Sequence, residues 1–222
     1  CDDLLRYIHS YITDTDLHPL YKIRITAIIV QDLSGNSEYT DDYLQDFNYL
    51  NDLINNYVNP RLHNLQPPTF TNPNPTLEQT DTKFEFELHE LYYVQDATLH
   101  TITSHSQFGN SPTKIYDLYG KNKDTDINLI LANSTLGNPG ISYGIGYYVD
   151  YWNNPTIKRN AYVGMFKNGA MWDELLIHEL GHALGLNHTF SDAIDDTPPE
   201  PYDCSNPLLC SNNYMSYNTP RN

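Results

Sequence analysis

His178-Glu179-Leu180-Gly181-His182-Ala183-Leu184-Gly185-Leu186-Asn187-His188 reads H-E-x-x-H-x-x-G-x-x-H. His178 and His182 are four residues apart, so on a helix they lie on one face, one turn apart, and two imidazoles can reach one metal ion. A third ligand six residues beyond His182 would point away on a continuous helix, so the helix must stop and the chain must turn back. Gly185 stands where a residue of positive φ would end it. His188 then closes a three-histidine site that leaves a fourth position for water, as a catalytic zinc requires. Glu179 follows the first ligand and is placed to act as general base toward that water, then as proton donor to a leaving amine. The added glycine and third histidine make the pattern far more specific than a bare H-E-x-x-H.

Outward from this stretch, residues 171–184 form the zinc helix, with Asp173 and Glu174 in its first turn where acids favour a helix start. Upstream, 161–166 (AYVGMF) and 126–132 (DINLILA) read as strands. The second is almost continuously apolar and therefore central. Residues 137–148, rich in glycine and tyrosine, suit an edge segment, and 115–119 a short helix. Residues 83–95 (KFEFELHELYYVQ) alternate as a strand on which His89 is a surface histidine rather than a ligand. His100 and His105 fall in a polar stretch that reads as exposed loop, with ligation of a second metal as the alternative. A helix is expected from Thr40, which can cap it, to Val58, with Pro60 just past its end and a long irregular loop over 59–82. Residues 21–31 (YKIRITAIIVQ) are a strand rich in β-branched residues, and 1–20 a leader segment.

The chain has 222 residues, 39% hydrophobic, which suits one domain with two lobes. We expect a leader over 1–20, an N-terminal catalytic lobe with the zinc helix over 21–185 and a C-terminal lobe over 186–222. A formal charge of −16 argues against nucleic acid as a partner and against anionic lipid held through a basic patch. No apolar run approaches the length of a membrane span. Cys204 and Cys210 are spaced for a small loop disulfide worth roughly 2 kcal/mol, which suits an exported chain. A cysteine at position 1 resembles the lipidated first residue of a bacterial lipoprotein, with an arbitrary start as the alternative. The expected location is secreted, cell-surface or periplasmic, with anchoring only through a lipidated Cys1, and the expected state is a monomer.

HELGHALGLNHTF is followed by the acid-rich Asp192-Ala193-Ile194-Asp195-Asp196-Thr197-Pro198, the cysteine loop, and Asn213-Tyr214-Met215-Ser216-Tyr217. Together these resemble the pappalysin group of metzincin peptidases (family M43). The resemblance implies a zinc endopeptidase with a substrate cleft between two lobes. It implies Met215 as the methionine of the Met-turn beneath the zinc site, and Tyr217 as a hydroxyl that stabilises the tetrahedral intermediate. It also implies calcium in the lobe after the zinc helix, at Asp192 and Thr197 with Asp195 and Asp196 as neighbours, since clustered aspartates supply hard oxygen ligands. An exposed acidic loop is the alternative there. Where the group often carries an acid after the Met-turn methionine, this chain has Ser216.

The expected fold is thus α/β and metzincin-like: a twisted five-stranded mixed sheet, mostly parallel, with two long helices and a small irregular C-terminal lobe. The expected activity is hydrolysis of peptide bonds in polypeptides, with Zn2+ held by His178, His182 and His188, and with Glu179 and Tyr217 as catalytic groups. Two readings stand against it. One is a non-catalytic surface binding module with a structural or vestigial zinc site, which would have no use for Glu179 as a base. The other is a zinc hydrolase acting on non-peptide amides.

Overall fold

A computed structural model describes residues 19–37, 39, 47–64, 81–109, 112–135, 162–165, 172–184, 186, 188 and 215. β1 is Tyr21–Gln31. A helix over 47–63, α1, joins an α-helical Phe47–Leu53, a π turn Ile54–Val58 and an α-helical Asn59–His63. Then come β2 (Phe84–Gln95), β3 (Thr101–Ile102), the short helix α2 (Ile115–Tyr119), β4 (Asp126–Leu131), β5 (Asn133–Ser134), β6 (Tyr162–Met165) and α3 (Trp172–Ala183).

Among the described residues four strands form one sheet in the order β2-β1-β4-β6, with every neighbour parallel. The two interior strands carry the near-continuous apolar runs that strands covered on both faces require: β1 is buried from Ile25 to Val30 and β4 throughout. Period-two alternation then sorts the core. Ile25, Ala27 and Ile29 of β1, with Leu129, Leu131, Val163 and Met165, face Leu50, Ile54 and Val58 of α1 and Leu176, Ile177 and Leu180 of α3. Ile28, Val30, Ile130 and Tyr162 face the opposite way, onto Leu99, Ile102, Phe108, Ile115 and Tyr116. α3 packs on β6 and against the π turn of α1, which fixes the zinc-motif helix over one face of the sheet.

The expected five-stranded sheet with two long helices is corrected. The described sheet has four strands, and a separate parallel pair, β3 with β5, forms a second small sheet. β4 ends at Leu131, which pairs with Ile29 of β1, and after Ala132 the chain takes Thr101–Ile102 as its new neighbour. The zinc-motif helix is only 12 residues long. The expected edge segment within 137–148 lies outside the described residues, as do residues 1–18 and the expected cap Thr40.

Pro60 does not end α1: residues 59–63, expected as the start of a loop over 59–82, are helical, and residues 65–80 of that stretch lie outside the described residues. The Asn59 N–H reaches back five residues to the Ile54 carbonyl, so the helix widens just ahead of the proline and then restarts with Pro60 in its first turn. A proline is tolerated at a first turn because its missing N–H would be unpaired there anyway, and a π turn is a known way for a helix to absorb such a break. Asn59 also ties the helix to the sheet. Its Nδ2 donates to the Phe86 carbonyl at 2.9 Å and its Oδ1 accepts from the Phe86 N–H at 2.8 Å.

β1 and β2 slip register between Ile25 and Thr26, which pair with Leu88 and Glu90, so His89 is the extra residue of a bulge. The bulge turns His89 onto Asp126, whose side chain is fully buried: His89 Nδ1 lies 2.8 Å from Oδ2. Asp126 also accepts from Thr26 Oγ1 at 2.7 Å and Thr125 Oγ1 at 2.8 Å, and Arg24 Nε stands 3.2 Å away. Burial alone would raise this carboxyl's pKa. The hydrogen bonds from His89, Thr26 and Thr125 and the charge of Arg24 outweigh burial and hold it below 3.8.

Candidate metal centre

Helix α3 brings His178 and His182 to one side as their spacing requires, and buries His178 and Glu179 to 8% and 4% exposure. The helix ends in hydrogen bonds that turn the chain back. Leu184 N–H donates to the Leu180 carbonyl at 3.0 Å, and Leu186 N–H reaches the Gly181 carbonyl at 3.0 Å. The second bond, from five residues on, is the signature of a Schellman closure. Gly185 itself lies outside the described residues. The reversal delivers His188 to the other two imidazoles.

The three rings meet at their Nε2 atoms. His182 Nε2 stands 3.1 Å from His178 Nε2 and 3.0 Å from His188 Nε2. The His182 ring is nearly perpendicular to both others, at 88° and 84°. Among the described residues these three are the one group of side chains able to hold a metal ion. Nitrogens bound tetrahedrally to one zinc at about 2.0–2.1 Å stand about 3.3 Å apart, so the observed spacing fits a shared ion to within a few tenths of an ångström.

One further contact fixes the chemistry of His182. Its Nδ1 lies 2.8 Å from the Leu186 carbonyl oxygen. A carbonyl can only accept, so Nδ1 carries the proton and Nε2 keeps its lone pair for a metal. Backbone support of this kind orients ligand histidines and raises their basicity. Sequence reasoning missed it, because the acceptor is a main-chain atom of a residue whose side chain carries no signal. Burial, and then the charges of His182 and His178, push the His188 pKa down from 6.5 to about 4, so this ring is neutral at neutral pH.

Other candidates resolve differently. His89 serves Asp126, and His100 Nδ1 faces the Asp96 carbonyl at 3.0 Å; neither joins the cluster. Met215 is buried and packs on α3 at Gly181. Tyr217, Asp192, Asp195, Asp196, Thr197, Cys204 and Cys210 lie outside the described residues.

Comparison with known proteins now decides the lineage. The profile of metallo-peptidase family M12B, reprolysin-like, matches residues 69–189, more than half of the chain. The chain belongs to this family. The expected membership of the pappalysin group, M43, and the pappalysin-like activity label are therefore corrected to M12B. The zinc motif does not separate metzincin families, and the features read as pappalysin-like lie beyond residue 189, outside the matched stretch. The family is one of metallo-peptidases, and the three-histidine cluster is a group able to hold the metal ion that such chemistry uses.

Two solved structures share the fold. Mature mirolysin of Tannerella forsythia, in complex with a cleaved peptide, is 17% identical with a TM-score of 0.54 over 90% of this chain and 84% of its own. A chain of a chaperone–substrate complex is 17% identical with a TM-score of 0.50, over 90% of this chain and 28% of its own. This M12B chain thus spans little more than a quarter of the second relative. Among curated proteins no match is found. Among the described residues no helix is long and apolar enough to cross a membrane.

Proposed function

We propose that the chain cleaves polypeptide chains internally, with Glu179 as the general base and proton shuttle of a centre held by His178, His182 and His188. The observation that carries the reading is the approach of His182 Nε2 to the Nε2 atoms of His178 and His188, at 3.1 and 3.0 Å, with the buried Glu179 next to His178 on the ligand helix. Zinc in such a site supplies Lewis acidity toward water and toward a carbonyl oxygen. The chain's own groups supply the rest. The His182 Nδ1–H bond to Leu186 keeps its ring in the ligating tautomer. The Glu179 carboxylate takes the proton of the attacking water and passes it to the leaving amine, so that the amide C–N bond breaks and the base is regenerated. Tyr217 donates its hydroxyl hydrogen to the oxygen that gains charge in the tetrahedral intermediate.

The same reading takes Met215 as the floor of the centre, divides the chain into lobes at residue 185, and places calcium at Asp192, Asp195, Asp196 and Thr197. The calcium assignment is supported by the clustered carboxylates alone. A Cys204–Cys210 disulfide in an exported monomer completes it, supported by the short spacing of the two cysteines.

Glu179→Gln keeps the size and most of the hydrogen bonding of the side chain but cannot accept a proton. General-base help is typically worth ~10²–10⁴-fold in rate. The variant should keep its zinc and its fold and lose at least a hundredfold in cleavage of unfolded casein. Equal cleavage by both proteins would remove Glu179 from the mechanism. A zinc-loaded wild type that cleaves no protein across a broad panel would favour the binding-module reading, and cleavage of small amides alone the amidase.

A further inference from the structure

Gly181 sits inside the ligand helix, three residues after His178 and next to His182, and it is buried. A β-carbon built on it would lie 2.5 Å from Met215 Sδ and 3.5 Å from Met215 Cε. Real β-carbons essentially never approach another heavy atom so closely. The thioether of Met215 therefore lies along bare helix backbone, in space that a side chain at 181 would fill. Met215 is only 6% exposed, so its end has no solvent to swing into. The opposing face of the same turn is also in use, because the Gly181 carbonyl accepts from Leu184 and Leu186 N–H as the chain turns toward His188.

Glycine in a helix interior is ordinarily a liability, and alanine there is more favourable. A glycine kept between two metal ligands therefore calls for a reason of its own, and the Met215 contact supplies one. We propose that Gly181 is a positioning residue for the metal centre: its missing side chain seats Met215 against the ligand helix and so holds the turn carrying His178, His182 and the return to His188 in register. The inference rests on the zinc reading for its consequence but not for its packing.

Two measurements on the full chain separate these. The first is the melting temperature of chelator-treated protein for wild type, Gly181→Ala, Met215→Ala and the double variant. Gly181→Ala should lower Tm when Met215 is present. In the Met215→Ala background, where the sulfur is gone, the same substitution should leave Tm unchanged or raise it, as the helix preference of alanine alone dictates. If Gly181→Ala does not fold alone, a folded double variant carries the same result. A Tm raised by Gly181→Ala in the Met215 background, a loss of similar size in both backgrounds, or failure of both variants to fold would overturn the seat.

The second is zinc affinity by competition with a chromophoric chelator. Groups that support ligands are typically worth 10–100-fold in affinity, and Gly181→Ala should lose at least tenfold. A lowered Tm with unchanged zinc affinity would make Gly181 a packing residue only and overturn the positioning role. A wild type that binds no zinc would overturn the metal reading, while the Tm comparison still decides the seat.

Discussion

Asn59→Ala should destabilise the protein by about 3 kcal/mol, although Asn59 lies in a helix and touches no catalytic group. β2 ends the described sheet order, and the Asn59 amide meets the Phe86 main chain with a donor and an acceptor, as a neighbouring strand would. Asn59 is 7% and Phe86 2% exposed, so water cannot replace these bonds without opening the contact. Each buried backbone group left unpaired costs about 1–3 kcal/mol, and the better helix propensity of alanine returns about 0.5 kcal/mol. The net lies near 3 kcal/mol, which for a domain of this size is a fall in Tm of about 6–12 °C.

Urea unfolding of zinc-free protein, followed by circular dichroism, measures the difference without the metal's contribution. Asn59→Asp is the sharper variant. It keeps the acceptor for the Phe86 N–H but sets a carboxylate against the Phe86 carbonyl, so it should lose at least as much as alanine. A change below about 1 kcal/mol in Asn59→Ala, or an aspartate as stable as wild type, would refute the claim that this side chain closes the edge of β2.

Three further outcomes follow from the same geometry. Asp126→Ala should cost about 3–5 kcal/mol, because it strands the donors of Thr26, Thr125 and His89 around an emptied buried position; thermal melts of Asp126→Ala and the milder His89→Ala check it. Zinc-free protein should lose stability as pH falls from 6.5 toward 4, because the unfolded chain takes up a proton at His188 that the folded state, with its pKa lowered to about 4, resists; melts across that window against His188→Gln, which should flatten the dependence, test the sign. Zinc returned to chelated protein at a thousandfold excess over Kd should add about 4 kcal/mol and raise Tm by about 8–16 °C, and a Tm indifferent to zinc would mean that the ion does not bind the native state.

What was legible in the sequence was whatever depends on side-chain period and spacing. β1 matches the expected 21–31, β2 and β4 fall within a residue of expectation, and the zinc helix begins and ends within a residue of 171–184. The three histidines met as their spacing required. What was hidden lies in the main chain or in tertiary choice. Pro60 carried the usual sign of a helix end, and nothing in the sequence announced the π turn that lets α1 run on to His63. Two-residue strands such as β3 and β5 have no period to read. The Leu186 carbonyl that sets the His182 tautomer belongs to a position whose side chain is irrelevant to the bond. His89 looked like an ordinary surface residue, because the one-residue bulge that turns it onto Asp126 depends on the partner strand. The acid-rich and Met-turn stretches that resemble the pappalysin group follow the zinc motif, whereas the family match runs from residue 69 to 189.

The most direct test of the metal centre is the zinc content of protein purified without added metal, measured by elemental analysis alongside His182→Ala and Glu179→Gln. His182 is the ligand whose Nε2 approaches both others and whose Nδ1 is held by Leu186. The prediction is one zinc per chain in the wild type and in Glu179→Gln, and almost none in His182→Ala. A wild type without zinc, or a His182→Ala variant that keeps a full equivalent, would contradict the assignment of this cluster as the zinc site.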